Sequence, residues 1–372
     1  MDFDFSDDQQ ALRDAVAKWV EKSYDFERRQ QIVAAGGFDR GVYNELAELG
    51  LTGIYVSEDH GGLGLGPVEA MVVMEELGRG IVTEPLKQAF VTGAVIQAYG
   101  DDAVKSAWLP KIASGEALVV LAQQERKARY RLDVCDAKAG KSGDDGYAVT
   151  ALKNIVPAGD QADAFVVPAV LDGKLALFIV ERSAKGVSTR GYLTQDEARA
   201  ADVKLDNAPA TLITTDGLAA LSFAVDVGIA CVCAEGVGAM DQTLKLTTEY
   251  MNQRKQFGVV IASFQALRHR AADMKMQLEL ARSMSYYATL KLNADEAERR
   301  QALSRAKVQL GKSMRFVGQE SVQLHGGIGV TDEYVGSHYF KFLTQLEMTY
   351  GDTLHHLGEV SERMQASAGV FA

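Results

Sequence analysis

Three glycines follow one another closely within the stretch that runs from Gln323 to His356. Gly326, Gly327 and Gly329 come directly after a run of residues with helical spacing. Because glycine has no side chain, the backbone N–H groups there can approach a ligand or another protein chain closely. A helix C-cap followed by a plain loop produces the same pattern. Taken alone, the stretch leaves both interpretations open.

Three other glycine-containing segments resemble phosphate-binding loops, but each lacks a required residue. In the loop Gly61 to Gly66, the third glycine of the dinucleotide-binding pattern is replaced by Pro67, and no clear strand precedes the loop. The segments 140–142 and 311–313 both read Gly-Lys-Ser, yet neither has the glycine five residues earlier that a P-loop demands. We therefore expect a plain loop at Gly61 to Gly66 and no nucleoside-triphosphate site.

The spacing of histidine, cysteine and serine gives no support to metal or hydrolytic chemistry. His355 and His356 are adjacent and so point to different faces of a helix, and the other histidines are scattered. The three cysteines, Cys135, Cys231 and Cys233, show no framework spacing and indicate a reducing compartment. No G-x-S-x-G nucleophile motif is present. We expect no metal ion.

Composition narrows the class of partner. The chain of 372 residues is 47% hydrophobic and carries 50 acidic against 39 basic residues, a net charge of -11. This balance argues against a nucleic acid or a membrane surface as the main partner. The first residues lack the basic and apolar regions of a signal peptide, and no run of about 18 consecutive apolar residues occurs. We therefore predict a cytoplasmic protein with small-molecule or protein partners.

The periodicity of apolar residues changes twice along the chain and so predicts three domains. Residues 1–118 have helical spacing and begin with a predicted N-cap at Ser6. Residues 119–215 contain short apolar runs separated by turns, among them the hairpin candidate 171–174. Residues 216–372 lack proline and favour long helices, predicted at about 217–253, 264–293, 296–324 and 336–367. The predicted fold is mainly α, with a helical N-terminal domain, a small β-barrel or sheet domain and a C-terminal four-helix bundle.

A family resemblance rests on motifs that follow one another in order. The segment 249–258 contains Arg-x-x-Phe-Gly, residues 264–265 are Phe-Gln, and residues 272–274 are Ala-Asp-Met. Together with Gln-x-x-Gly-Gly-x-Gly at 323–329, these motifs closely resemble the signature of the acyl-CoA dehydrogenases. The similarity runs essentially end to end. On this basis the chain is identified as a member of the acyl-CoA dehydrogenase family.

The resemblance implies FAD bound between the middle domain and the C-terminal helices, with part of the site completed by a neighbouring subunit. Arg254 would pair with the pyrophosphate, a role suited to a fixed guanidinium fork. The glycine backbone at Gly326 and Gly327, with Gln323, would face the partner's FAD. The other residues that the resemblance assigns to the cofactor are Gln256, Phe257, Phe264 and Gln265 on the adenosine half, together with Gln124 and Thr353. A cation at a helix C-terminus and ordinary aromatic packing would also explain Arg254 and the two phenylalanines taken singly.

The implied reaction is the α,β-desaturation of an acyl-CoA thioester, as in fatty-acid β-oxidation. A carboxylate removes the α-proton while the β-hydrogen leaves as hydride to the flavin. Because the α-proton is weakly acidic, the base needs a pKa raised by a dry site. The electrons would pass to an electron-transfer flavoprotein.

The sequence departs from the family at the position of this base. Most relatives carry it as the Glu of Tyr-Glu-Gly-Thr, but residues 350–353 read Tyr-Gly-Asp-Thr, so the aligned residue is Gly351. The second position that relatives use is Gly228 here. Two carboxylates are candidate catalytic bases. Asp352 is one residue further on and would equally serve as a helix N-cap; Glu235 lies about 10 Å along the helix from Gly228 and would equally form a buried ion pair.

The middle domain departs from the family as well. The usual Thr-Glu-Pro-x-Ala-Gly-Ser-Asp loop reads Gln-Glu-Arg-Lys-Ala-Arg-Tyr-Arg at 124–131. The usual Trp-Ile-Thr beside the flavin reads Ile-Val-Pro at 155–157, which removes a hydroxyl donor near the flavin edge.

Within the family, the chain resembles the small-subunit type of pimeloyl-CoA dehydrogenase, which works beside a large subunit. The similarity lies at residues 24–27, 331–334, 338–341, 351–352 and 355–356. It implies a dicarboxylyl-CoA substrate such as pimeloyl-CoA and a homotetramer, or a heterotetramer with a related subunit. Three hypotheses follow: an active dehydrogenase, a structural subunit with little activity alone, and a base-free relative that runs another acyl-CoA reaction.

Overall fold

The structure, a computed structural model, describes residues 5–143 and 146–367. It is mainly helical with a seven-stranded sheet, which confirms the predicted fold class. The chain forms two compact units. The first comprises Met1–Arg29, Pro67–Val82 and Ile229–Ala372, and the second comprises Gln30–Gly66 and Thr83–Gly228. The division into three domains at residues 118 and 215 stays a prediction.

Helix α1 (Asp7–Ser23) begins at the predicted N-cap. The Ser6 hydroxyl accepts a hydrogen bond from the Gln9 backbone N–H at 3.2 Å, and the Gln9 side chain accepts one from the Ser6 N–H at 3.0 Å. This reciprocal pair satisfies two backbone donors that a helix start leaves open. The segment Gly61–Gly66 contains neither helix nor strand, as predicted. The next helices are α2 (Phe26–Ala34), α3 (Arg40–Glu48), α4 (Pro67–Arg79), α5 (Leu86–Tyr99) and α6 (Asp102–Ala113).

The strands of the second unit close into a barrel. They are β1 (Val119–Leu121), β2 (Lys138–Ser142), β3 (Gly146–Pro157), β4 (Ala164–Leu171), β5 (Lys174–Glu181), β6 (Val187–Leu193) and β7 (Arg199–Thr214). The order runs β4-β2-β3-β7-β5, and β5 pairs again with β4, so the ring of strands is complete. Asp172 and Gly173, with φ of 49° and 82°, form the β4–β5 turn and confirm the predicted hairpin. Phe165, Phe178 and Val203 belong to its buried apolar core.

Three of the four predicted C-terminal helices are confirmed as α7 (Gly217–Gln253), α8 (Gln265–Lys291) and α9 (Glu296–His325). The prediction of one continuous helix over 336–367 is wrong, because the chain breaks it into α10 (Val335–Met348) and α11 (Thr353–Ser367). Tyr350 and Gly351 between them have φ of 58° and 115°, outside the helical region. A short hairpin of β8 (Lys255–Gln256) and β9 (Val259–Val260) links α7 to α8.

Glycines let α4 and α7 cross at very short distance within the first unit. A Cβ at Gly78 would lie 2.2 Å from the Glu235 carbonyl oxygen, and one at Gly238 would lie 1.8 Å from the Glu75 carbonyl oxygen. No side chain fits at either point. Helix α7 is long and apolar enough to cross a membrane by length and composition, but 83% of its most apolar window is buried inside the protein.

Candidate cofactor-binding cleft

A cleft of about 480 Å³ opens in the first unit between the end of α7 and the end of α9. It brings together five of the predicted cofactor residues. They form two groups that are separated by about 70 positions in the sequence. They are Arg254, Gln256, Gln323, Gly326 and Gly327.

Backbone hydrogen bonds at the end of α7 place Arg254 in this cleft. The Arg254 N–H donates to the Tyr250 carbonyl at 2.8 Å, and its own carbonyl accepts from the Ile261 N–H at 2.8 Å. The β8–β9 hairpin is thereby tied to the helix end, and its tip carries Phe257 and Gly258 at φ of 54° and 79°. The exposed Arg254 guanidinium is thus held on a braced backbone while its side chain stays open to a ligand.

The other wall of the cleft is an open glycine backbone. A Cβ at Gly326 or Gly327 would meet no atom within 4 Å, so neither glycine is required by packing inside the chain. Gly329 differs, because a Cβ there would lie 2.9 Å from the Val322 carbonyl oxygen. The motif therefore combines two glycines that face open space with one that closes the loop against α9.

His325 forms a buried polar floor that the sequence-based prediction missed. Its Nδ1 lies 2.8 Å from the Ser321 carbonyl and its Nε2 lies 2.8 Å from the Tyr334 hydroxyl. Since a carbonyl only accepts, Nδ1 carries the proton and Nε2 accepts from Tyr334. Burial lowers the pKa of His325, so the ring stays neutral. Its centre lies 4.6 Å from that of the Tyr250 ring, with the two planes tilted by 36°. The sequence signal that could have identified His325 is its position inside the motif, between Gln323 and Gly326.

These groups fit the diphosphate and adenosine half of FAD. The cleft supplies an always-charged guanidinium, two side-chain amides and unobstructed backbone, which is the donor set that a diphosphate requires. The described part of the chain contains no group of three or more His, Cys, Asp or Glu side chains that could hold a metal ion.

The remaining predicted adenosine-side residues lie outside the lining of the cleft. Phe257 is 91% exposed at the hairpin tip, and its ring meets that of Phe264 edge to face at 6.2 Å. Gln265 begins α8. Their predicted contact with FAD stays a prediction.

Thr353 and Asp352 make local bonds at the start of α11. The Thr353 hydroxyl donates to Glu347 Oε1 at 2.6 Å, and the Thr353 N–H donates to the same oxygen at 3.0 Å. Asp352 Oδ1 accepts from the His355 N–H at 2.8 Å, which is the N-cap geometry that the sequence left open. Thr353 does not line the cleft.

The turn at Gly351 has no room for a side chain. A Cβ there would lie 2.5 Å from His356 Nε2 and 2.7 Å from His355 Cδ2, and φ is 115°. His356 is buried, with Nε2 3.0 Å from the Tyr350 carbonyl and Nδ1 3.3 Å from the Ser304 hydroxyl. Burial and the nearby Lys307 ammonium hold the pKa of His356 well below its usual range. Glycine at position 351 is thus a requirement of the turn.

A buried lysine fixes this turn from the side of α9. The Lys307 ammonium donates to the carbonyls of Leu346, Glu347 and Gly351 at 2.9, 2.8 and 3.0 Å. These three bonds use all three protons of the ammonium. They end α10 and set the direction in which α11 begins.

The second candidate base, Glu235, is buried in α7 where that helix meets α4. The residue is 5% exposed, and its backbone lies against Gly78. It does not line the cleft.

Gln124 lies in the second unit, where its carbonyl accepts from the Asn154 N–H at 2.8 Å. Its predicted contact with the cofactor stays a prediction.

Comparison with known proteins matches most of the chain to one family. Residues 6–116 match the acyl-CoA dehydrogenase N-terminal domain and residues 215–365 match the acyl-CoA dehydrogenase C-terminal domain. Acyl-CoA dehydrogenase FadE12 of Mycobacterium tuberculosis is 30% identical over 346 residues, 88% of this chain and 88% of the relative. A solved variant of the Tcur3481-Tcur3483 steroid ACAD is similar with a TM-score of 0.90 at 26% identity, over 97% of this chain and 99% of that one. A chain from the structure of the electron transferring flavoprotein of Acidaminococcus fermentans has a TM-score of 0.90 at 25% identity, over 98% and 99%.

Proposed function

Since the chain belongs to the acyl-CoA dehydrogenase family of FAD-dependent oxidoreductases, we propose that it introduces an α,β double bond into an acyl-CoA thioester and passes the electrons to an electron-transfer flavoprotein. The predicted family, enzyme class and FAD cofactor are confirmed. The observation that carries the proposal is the cleft that unites Arg254, Gln256 and the Gln323–Gly327 segment. We place the activity in the cytoplasm, and dicarboxylyl-CoA thioesters such as pimeloyl-CoA are the proposed substrate class.

Each lining residue has a defined task toward the cofactor. Arg254 would neutralise the diphosphate, the Gln256 and Gln323 amides would hydrogen-bond to it or to the adenosine, and Gly326 and Gly327 would let it approach their backbone. The neutral His325 ring keeps the floor of the cleft polar without adding a charge. When bound, the flavin supplies the two-electron acceptor for the hydride that leaves the β-carbon.

Substitution of Arg254 tests this assignment. Arg254→Gln should bind FAD about tenfold more weakly and purify with less flavin, because it loses a charge-assisted contact. Lys255→Gln is the matched control, since Lys255 is an exposed cation on β8 that does not line the cleft. Equal flavin content in Arg254→Gln, Lys255→Gln and the unmodified protein would contradict the role of Arg254.

We propose Asp352 as the proton acceptor, with Glu235 as the alternative. Asp352 is only partly buried, whereas Glu235 is 5% exposed inside a helix crossing. A base must reach the α-carbon, so the more accessible carboxylate is favoured. Asp352→Asn should abolish flavin bleaching by an acyl-CoA while FAD remains bound. Bleaching lost in Glu235→Gln instead would transfer the role to Glu235, and bleaching in both variants would exclude both.

The sealed Gly351 turn supports a second candidate function, that of a subunit in a heterotetramer with a related, catalytic chain. Position 351 is closed by His355 and His356 and offers no place for the usual Glu. Such a subunit should hold little flavin and show little activity alone, with both restored on co-expression with its partner. A fully active homotetramer would remove this candidate.

A further inference from the structure

Four cations stand within six residues on one exposed loop of this acidic protein. We call residues 126–131 the basic loop; it reads Arg-Lys-Ala-Arg-Tyr-Arg and contains no acidic residue. From 126 to 138 there are five basic and two acidic residues, a local net charge of +3, whereas the whole chain has -11. The four cationic side chains are exposed and Ala128 between them is buried. The basic loop is therefore a concentrated positive site on an otherwise acidic chain.

A buried ion pair anchors the base of this loop. Glu125 accepts from the Lys153 ammonium at 2.6 Å and from the backbone N–H groups of Asp136 and Ala137 at 2.6 and 3.2 Å. Lys153 is fully buried and also donates to the Pro168 carbonyl at 2.9 Å. These contacts hold both ends of the segment on the barrel. The cations are consequently presented on a fixed base.

Backbone turns then fix the course of the loop itself. The Arg129 N–H donates to the Glu125 carbonyl at 3.2 Å, and the Arg131 N–H donates to the Ala128 carbonyl at 2.9 Å. The Arg129 guanidinium lies 5.3 Å from the centre of the Tyr130 ring. A guanidinium beside an aromatic face is a combination that binds phosphate and stacks on a nucleobase.

The ion pairs that the loop cations make are exposed to solvent. Lys127 pairs with Asp136 at 2.8 Å, and Arg131 pairs with Asp133 at 2.7 Å. The two cations and the two carboxylates in these pairs are each more than half exposed. Exposed pairs of this kind are weak and exchange readily with a competing anion. Arg126 makes no ion pair with any carboxylate in the described ranges 5–143 and 146–367.

We propose that the basic loop binds the nucleotide end of coenzyme A, with the guanidinium groups on its phosphates and Tyr130 beside its adenine. This inference rests on the proposed function, because it assumes that the substrate is a CoA thioester. Phosphates match the fork geometry of Arg126 and Arg129, and Tyr130 adds a surface that a purely anionic partner would not use. The loop then contributes to substrate affinity, while the chemistry lies elsewhere.

Binding measurements on the flavin-loaded full chain test the proposal. The titrants are CoA, 3′-dephospho-CoA and S-butyryl-pantetheine, measured by calorimetry with the unmodified protein and with Arg126→Gln/Arg129→Gln. The matched control is Lys174→Gln/Lys185→Gln, which removes two exposed cations from the same unit. The loop variant should bind CoA about tenfold more weakly than the unmodified protein does. Its affinity for dephospho-CoA should fall somewhat less, and its affinity for the pantetheine thioester should not change. The control should bind all three like the unmodified protein.

Several outcomes would overturn the inference. They are an unchanged dissociation constant for CoA, an equal loss for the pantetheine thioester, and an equal loss in the Lys174→Gln/Lys185→Gln control. A loss of turnover with a protein electron acceptor but not with a dye would assign the loop to an acidic protein instead. Failure of the proposed function is separate: CoA that binds through the loop without any turnover of acyl-CoA leaves this inference standing and removes the dehydrogenase activity.

Discussion

Two glycine segments of the first unit look alike in sequence and differ in what their glycines are for. At Gly326 and Gly327 an added Cβ would meet no atom within 4 Å, so both positions leave room for something outside the chain; the φ of 64° at Gly326 also favours glycine there. At Gly351 an added Cβ would collide with both His355 and His356, so the missing side chain leaves room for the chain itself. We propose that the first arrangement serves binding, whereas the second sets the direction of α11. A glycine at a functional position therefore carries opposite information depending on what surrounds it.

Restoring the family's Glu at position 351 should produce the largest effect. Gly351→Glu combines a φ of 115° with a steric clash against two imidazoles, so we expect the free energy of unfolding to fall by about 4 kcal/mol, with no gain in activity. Urea unfolding and flavin bleaching measure the two quantities. A stable Gly351→Glu protein with increased turnover would show that the turn is open and that the comparison is wrong.

Removing the lysine that fixes the same turn should come next. In Lys307→Met, three carbonyls lose their donor in a buried place, so we expect a loss of about 3 kcal/mol. Lys312→Met on the same helix is the control, because it removes a cation without removing those bonds. Equal unfolding free energies for the two variants would mean that the ammonium does not hold the turn.

Within the cleft, two neighbouring glycines should separate binding from folding. Gly327→Ala should keep its unfolding free energy within about 0.5 kcal/mol but lower FAD affinity about tenfold, because the methyl group would enter the space that we propose for FAD. Gly329→Ala should lose about 1.5 kcal/mol of stability, since its Cβ would meet the Val322 carbonyl at 2.9 Å. Flavin titration and urea unfolding of both variants decide whether the pattern holds. The same effect in both would remove the distinction.

The smallest expected effect is a dependence of stability on pH at the Gly351 turn. The folded-state pKa of His356 lies well below its ordinary value of 6.5, so below pH 6.5 the unfolded chain binds a proton that the folded chain does not. Stability is therefore lost as pH falls, by about 1 kcal/mol from pH 6.5 to 5.5 for this group. His356→Gln should show that much less loss over the same interval. If the free energy of unfolding fell equally with pH in the two proteins, His356 would not be a buried neutral imidazole.

Local sequence signals predicted a large part of the fold. The Ser6 N-cap, the turn at Asp172 and Gly173, and three long C-terminal helices all follow from short-range patterns. Capping hydrogen bonds and hairpin dihedrals involve residues a few positions apart, so a linear sequence contains the necessary information. The break between α10 and α11 escaped prediction because Lys307, about 40 positions earlier, supplies the bonds that fix it.

The motifs of the sequence determined the family and named five residues that the cleft unites. Only the tertiary structure decided that Gly326 and Gly327 face open space, that His325 forms a neutral floor, and that position 351 is closed. The physical reason is excluded volume. Whether a glycine leaves space for a ligand or allows a tight turn of the chain depends on the atoms that other segments place around it. The sequence specified which side chains are absent, and the fold specified what uses the space that they leave.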